Sequence, residues 1–460
     1  MKKKDLILKI LIIINLTNFF IACLGTRFLN LKILLVVVNL IVIFFADEET
    51  LLATLFYLHP NSALYDDIGF KYIFNFGIFI CLLKLVIVYR WKFNKRILSI
   101  FLMIVVYDII LMGINGQIDV SILSMISWIS SYLVLILYIG HQDKIDKKKV
   151  YKYFATGYAL AFLCAIIYPI TKYGINNIPT AYRFIGLLRD PNYYCVDALI
   201  LIFSTDIYIE KKWLKILLEC MFVIMGILSI SKTFIILLIA GFVIKTCMHM
   251  SKSKLKIKNM ICAFWIVCAI IGIVFTTNKF DYITEKYLYR TSTTSAFTGR
   301  DYIQKYYINI LLNNPMRLMF GSSSKYNHLL GIGHEMGNEF FEDMVAHNTY
   351  LDIILAWGIF GFFLYMFFIY NLQDLLKKQY NSIPEREHKS SYYTLIILLC
   401  GFLFVLSYMF VDFFAIMLIY IFMAKYPIEK IKNDEEVRGY VWLFNSRFWF
   451  VWNSICIWSE

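Results

Sequence analysis

A chain of 460 residues that is 60% hydrophobic, 18% aromatic and only 17% charged excludes an ordinary soluble domain, in which about 25% of residues are charged. The formal net charge of +13 would suit nucleic acid if it lay on one surface. Instead the lysines and arginines are parcelled into short stretches between apolar runs, as in cytoplasmic loops under the positive-inside rule. The basic stretches are 2–4, 90–96, 144–149, 211–215, 252–258, 377–378 and 425–432.

Taken in chain order, the first apolar run, 6–23, follows Met-Lys-Lys-Lys without a small-residue cleavage site and is expected to be a retained span. A second run covers 29–45. The stretch 50–65 is short and carries His59-Pro60, so it is either a broken span or a re-entrant piece. The runs 70–89, 97–112, 121–139, 154–171, 193–209, 214–230, 234–248 and 260–275 then alternate between basic inner loops and weakly charged outer turns. The outer segment 172–192 contains Arg183, Arg189 and Asn192, and Ser231-Lys232-Thr233 is a minimal outer turn.

The long polar interval 279–346 is charge-balanced and faces outward in this topology. Thr298 as N-cap, Asp301 in the first turn and Ile303, Tyr307, Ile310 and Leu311 at helical spacing predict one helix, stopped by Asn314-Pro315. Glycines 321, 331, 333 and 337 predict a flexible stretch beyond it, with Ser322 reachable from the outer solution. Runs at 347–370, 392–410 and 413–423 return the chain to a basic tail, whose aromatic part 442–458 suits an interfacial helix.

The expected fold is therefore all-α: a polytopic integral membrane protein with about 12–14 transmembrane helices of ~20 residues and one large exoplasmic loop. The expected divisions are N-terminal transmembrane helices at 1–277, the loop with one amphipathic helix at 278–346, C-terminal transmembrane helices at 347–424, and a cytoplasmic or interfacial tail at 425–460. Seven of the ten cysteines lie inside apolar runs, where cysteine acts as a small hydrophobe. Neither a disulfide framework nor a metal site is expected. No phosphate-cradling Gly-Lys-Ser/Thr loop, His-Glu-x-x-His or Gly-x-Ser-x-Gly is present.

The informative polar residues gather on the outer side. Arg183, Arg189, Arg290 and Arg300 present planar donor forks that match phosphate oxygens, and Lys232 adds a point charge. Either a pyrophosphate or ordinary headgroup contact accounts for them. His347 is the candidate base, since a neutral imidazole takes a proton near physiological pH; an interfacial histidine is the plainer alternative. Asp343 stands four residues before it and is a candidate orienting group. Asn348 is a helix cap or a sugar ligand, and Asn192 an N-cap or a ligand. Of the acidic residues in or near spans, Asp108, Asp197, Asp206 and Asp412 show no obvious pairing in the sequence.

At these residues the chain resembles the O-antigen polymerase/ligase (Wzy and WaaL type) superfamily of bacterial membrane glycosyltransferases. The run Ala346-His347-Asn348-Thr349-Tyr350-Leu351-Asp352, with Gly358 eleven residues after the histidine, is similar to the family's His-Asn-x-x-Leu segment. Thr298-Gly299-Arg300 followed by a helix and Phe320-Gly321 resembles what precedes it. Arg183-x-x-Gly186 with Asp190-Pro191-Asn192 resembles the upstream arginine segment. Lys232 stands where arginine is often found.

The resemblance implies a multi-pass protein of the bacterial inner or plasma membrane. Its substrate would be an undecaprenyl-pyrophosphate-linked glycan, its surroundings membrane lipid and other components of a polysaccharide assembly system, with no nucleic acid and no cofactor. It implies a glycosyltransferase that polymerises repeat units of capsule or O-antigen, with Arg183, Arg189 and Arg300 on the pyrophosphate and His347 on the acceptor hydroxyl. Arg290 is added from its place in the loop alone. Ligase-type transfer uses the same residues. A lipid-linked sugar flippase or transporter and a non-catalytic scaffold are the remaining alternatives.

Overall fold

A computed structural model describes residues 6–24, 29–61, 73–173, 191–229, 231–250, 300–331 and 344–380, with 394, 395, 398, 401, 403 and 417. Among the described residues the chain is almost wholly helical and contains no strand. The helices are α1 (Leu6–Leu24), α2 (Leu29–Phe45), α3 (Glu48–Leu58), α4 (Ile73–Leu83), α5 (Lys95–Ile114), α6 (Ile118–Gly140), α7 (Lys147–Tyr173), α8 (Pro191–Tyr208), α9 (Lys212–Leu228) and α10 (Lys232–Met250). The outer-loop segment supplies α11 (Arg300–Asn313), α12 (Pro315–Phe320) and α13 (Tyr326–Leu330), and α14 (Thr349–Tyr380) follows. Two of these, Lys95–Ile114 and Thr349–Leu375, are long and apolar enough to cross a membrane. Shorter apolar helices cover Leu6–Thr17, Leu34–Phe45, Phe74–Val88 and Met125–Gly140. The expected spans at 260–275, 392–410 and 413–423 and the tail at 425–460 lie outside the described residues, apart from the six isolated positions.

The ambiguous stretch 50–65 becomes α3, an 11-residue helix about 16 Å long, half a hydrocarbon core. Asp47 caps it through the Thr50 amide at 2.8 Å, which satisfies an orphan donor of the first turn. Every side chain from Thr50 to Leu58 is buried, so the helix is enclosed all round and owes its stability to packing rather than to an amphipathic pattern. Its closest neighbour is α7. Gly157 of α7 permits that approach, because a Cβ there would stand 2.4 Å from the Tyr57 carbonyl oxygen.

Beneath α3, Lys84 donates to the carbonyls of Phe44 and Ala46 at the end of α2. Glu48 receives Lys144 at 3.1 Å and the Trp91 indole N–H. The ends of α2, α4 and α6 thus meet, and the basic stretches 90–96 and 144–149 share one end of the helix array.

Three buried acids that lacked an obvious partner in the sequence have partners in the fold. Asp197 of α8 lies 3.3 Å from His59 Nε2, both groups being buried. Asp206 at the other end of α8 meets Lys215 and Lys245. Asp108 of α5 accepts from the Ser324 amide and hydroxyl, each at 2.7 Å, and from the Trp357 indole at 2.8 Å. A buried carboxylate needs such donors to offset its lost hydration.

The outer-loop residues are not a detached lobe. α11 spans the expected helix, and Ile303, Tyr307 and Leu311 are its buried stripe. Asn314-Pro315 ends α11 at Asn313, as expected, and also starts the next helix: Asn314 accepts from the Arg317 amide at 3.2 Å and caps α12, with Pro315 at the first helical position, where its missing N–H costs nothing.

Of the glycine-punctuated stretch expected to be flexible, the described part from Gly321 is clamped, and Gly333 and Gly337 lie outside the described residues. Ser322, Ser323 and Ser324 are buried, and the Ser322 and Ser323 amides donate to Leu355 and Ala356 carbonyls of α14 at 2.7–3.0 Å. Ser322 is therefore closed to the outer solution.

The clamp depends on two glycines. Gly321 (φ 82, ψ −168) and Gly358 (φ 66, ψ −173) occupy a backbone region open essentially to glycine alone. A Cβ on Gly358 would stand 2.4 Å from backbone atoms of Met319. Gly358 also interrupts α14, dividing it into two helical pieces. Gly358→Ala is therefore expected to destabilise the protein by about 3 kcal/mol, from backbone strain and overpacking together. Gly140→Ala, where nothing lies within 4 Å of the added Cβ, should leave the melting temperature of the purified protein nearly unchanged.

Candidate functional site

His347 is the residue on which the outer segments converge. It has φ 52, one of three non-glycine residues with positive φ among those described. That conformation is uncommon outside glycine, although histidine adopts it more readily than most residues, and it persists where the surroundings over-determine it. Here they do so from three directions.

From α11, the Tyr307 hydroxyl donates to the Met344 carbonyl. From α13, Tyr326 donates its phenol proton to Asp352 Oδ1. From α14, that same carboxylate oxygen accepts the Ala346 amide at 3.2 Å, and the Tyr326 oxygen receives the same amide at 3.0 Å. Tyr326 and Ala346 are fully enclosed. Burial first, and the Asp352 carboxylate next, hold the Tyr326 phenol well above its ordinary range. The phenol therefore keeps its proton and remains a donor to Asp352 at any working pH.

On the other side of His347, Asn348 caps α14. Its Oδ1 accepts the Tyr350 and Leu351 amides at 3.0 and 3.2 Å. Of the two roles open to Asn348 in the sequence, the structure shows the cap. His347 itself is half-buried, at the start of a helix and beside the outer segments.

Asp343, expected to orient His347, lies outside the described residues, and Asp352 is the carboxylate that braces the segment. It stands in the first turn of α14, where an acid also suits the helix dipole. That position, five residues beyond the histidine, was the available signal. Tyr326 and Tyr307 had none, because nothing local marks which tyrosines reach a backbone 20 or 37 positions away.

Arg300 is half-buried at the first position of α11. It is seven residues, or two turns, before Tyr307 and so on the same helix face. α11 packs on α12 and α14, which brings Arg300's face toward the His347 segment. His328 lies in α13 and is half-buried.

Asn192, Ser231 and Lys232 form a second group at the outer ends of α8 and α10. The Ser231 hydroxyl donates to Asn192 Oδ1 at 3.1 Å and accepts the Phe234 amide at 3.4 Å. Ser231 thus caps α10, with Lys232 half-buried at its first position. Asn192 is buried inside the first turn of α8, so it is not that helix's N-cap.

α8 packs chiefly on α9, α7 and α10, whereas α14 packs chiefly on α12 and α5. The described candidates therefore fall into two sets, one around His347 and one around Asn192. Arg183, Arg189, Arg290 and His334 lie outside the described residues.

No protein-family model matches this chain, and no curated protein matches its sequence.

Hydrogen exchange tests the bracing of His347. Asp352→Ala removes a charged acceptor worth about 1.5–3 kcal/mol, and the Ala346 amide should lose about tenfold or more of its protection. Asp352→Asn retains an acceptor oxygen and should lose less. Equal protection in all three proteins would show that the carboxylate does not hold the segment.

Proposed function

We propose that this chain is a multi-pass protein of the bacterial cell membrane that polymerises polyprenyl-pyrophosphate-linked oligosaccharide units at the outer face, in capsule or O-antigen assembly. The observation that carries this reading is the strained, triply braced His347. It stands beside α11, which opens on Arg300, inside the run that resembles the polymerase/ligase superfamily.

The membrane part is supported by helix faces that are apolar yet uncovered. On α5, Leu102, Met103, Val106, Ile109 and Ile110 are exposed while Ile97, Ile100, Phe101, Ile104 and Asp108 are buried. On α14, Phe360, Phe363 and Phe367 are exposed in the same way. Such faces suit hydrocarbon. The basic stretches 90–96 and 144–149 at one end of the array agree with the positive-inside rule and support reading that end as cytoplasmic.

In the proposed reaction His347 takes the proton of an acceptor hydroxyl. That oxygen attacks the anomeric carbon of the lipid-linked glycan and forms the new glycosidic bond. The bond from that carbon to the pyrophosphate oxygen breaks, and the oxygen leaves with the electron pair on the lipid carrier. Arg300, with Arg183 and Arg189, meets the leaving charge, which is greatest in the transition state. Ligase-type transfer to another acceptor follows the same steps.

The buried His59–Asp197 pair is the specific observation that favours a transporter instead, since intramembrane ionisable groups mark proton and substrate paths. Against it, residues 198–203 of α8 are all apolar and buried. They separate Asp197 from the next polar group, Ser204, by about 10 Å of helix. With no polar continuation along that stretch of α8, the pair serves better as a pin between α3 and α8.

His347→Ala and Arg300→Ala are expected to abolish polymer, a loss of about 100-fold or more for a missing acid–base group, at unchanged protein level and membrane insertion. Polymer of wild-type length from both variants would remove the enzymatic reading.

A further inference from the structure

α5 supplies a depth scale. Its first turn carries Lys95 and Arg96 at the basic end of the array, and its last residue, Ile114, is exposed and apolar. The Tyr107 hydroxyl donates to the Phe320 carbonyl at 2.7 Å. Tyr107 lies seven residues before Ile114, about 10 Å along the axis, and helical side chains lean toward the N-terminus. The Phe320 carbonyl therefore sits at least that far below the outer end of α5. Beyond it the segment stays against the end of α5 and the turn after it: the Ser322 carbonyl receives Asn115 at 3.2 Å, the Ser323 hydroxyl meets Gln117, Ser324 meets Asp108, and the Lys325 carbonyl receives Gln117 at 3.0 Å.

A second feature agrees independently. Irregular backbone at membrane depth is tolerated only where protein groups satisfy its polar atoms. Every amide from Gly321 to Lys325 is paired: Gly321 to the Arg317 carbonyl, Ser322 and Ser323 to α14 carbonyls, Ser324 to Asp108, and Lys325 to the Ser323 hydroxyl. On the opposite side of the same segment, Leu312, Met316, Met319 and Phe320 are 66%, 68%, 46% and 45% exposed. At that depth they continue the apolar flank of α5 formed by Ile109, Ile110 and Ile114.

We propose that residues 315–324 re-enter the outer leaflet as a wedge between α5 and α14, and that Leu312, Met316, Met319 and Phe320 lie against the hydrocarbon chains of outer-leaflet lipid. The proposal rests on the membrane reading above and goes beyond it, since the wedge belongs to the polar loop. It puts a lipid-facing surface on the segment whose other side braces α14 just beyond the His347 site.

Photo-crosslinking in intact membranes tests it. A benzophenone amino acid is placed in turn at Met319, at Ile110 on the lipid flank of α5, and at the exposed Asp143 of the basic loop as an aqueous baseline. Lipid adducts are read by mass spectrometry. The expected result is lipid adduct at Met319 of the same order as at Ile110, against none at Asp143. Adduct at Ile110 with none at Met319, or Met319 joined only to protein, overturns the wedge while the membrane reading stands. No lipid at either Ile110 or Met319 overturns both.

Discussion

Asp108 is the constraint from which the outer half of the structure follows. An ionisable side chain in the apolar helix α5 cannot be left without donors, because hydration lost inside a packed array is regained only through hydrogen bonds. Its donors come from positions 216 and 249 residues later, Ser324 and Trp357. To bring them there, the chain must dip to the level of Asp108 after α12, and α14 must present Trp357 at the same level. The unusual backbone at Gly321 and Gly358 follows from that meeting, since two main chains approach so closely that neither position has room for a Cβ. Tyr107, the neighbour of Asp108, closes the contact on the Phe320 carbonyl.

The inner and central parts are pinned by the same device on α8. Along this one helix, Asn192 meets Ser231 of the turn before α10, Asp197 meets His59 beyond α3, Thr205 meets Tyr151 of α7 at 2.8 Å, and Asp206 meets lysines of α9 and α10. Each polar group binds a different neighbour, and the apolar run between Asp197 and Ser204 keeps them separate. Apolar faces alone allow helices to slide past one another, and a few buried polar pairs specify register. Polar residues in these helices are therefore better understood as registration marks than as a conducting path.

What was legible in the sequence follows the range of the forces involved. Helix positions depend on local apolar runs, and α5 to α10 lie within a few residues of their expected bounds where described, α7 excepted, which begins seven residues before its apolar run. The stripe Ile303-Tyr307-Leu311 identified the buried face of α11 for the same reason. Asn314-Pro315 does stop α11 at Asn313, and the same pair also starts the next helix, with asparagine as cap and proline at the first helical position. At Gly321 a glycine expected to loosen the chain is held instead. Gly321 signals either freedom or close approach, and only the distant Ala356–Gly358 backbone decides between them. Ser322 is buried because its partners are on α5 and α14, and no local pattern in the sequence marks them.

The two networks around α14 bear on His347 together. Asp108 and the glycines set the level of Trp357 and so fix the height of the first helical piece of α14. Asp352, one turn inside that piece, then holds the Ala346 amide, and Tyr326 is delivered to Asp352 by the same segment that Asp108 anchors. A positive φ at histidine costs about 1–2 kcal/mol relative to ordinary backbone, and several hydrogen bonds in this enclosed arrangement offset it. The strain is retained because two separate anchorages, one through Asp108 and one through Asp352, leave the imidazole's backbone a single direction in which to leave α14.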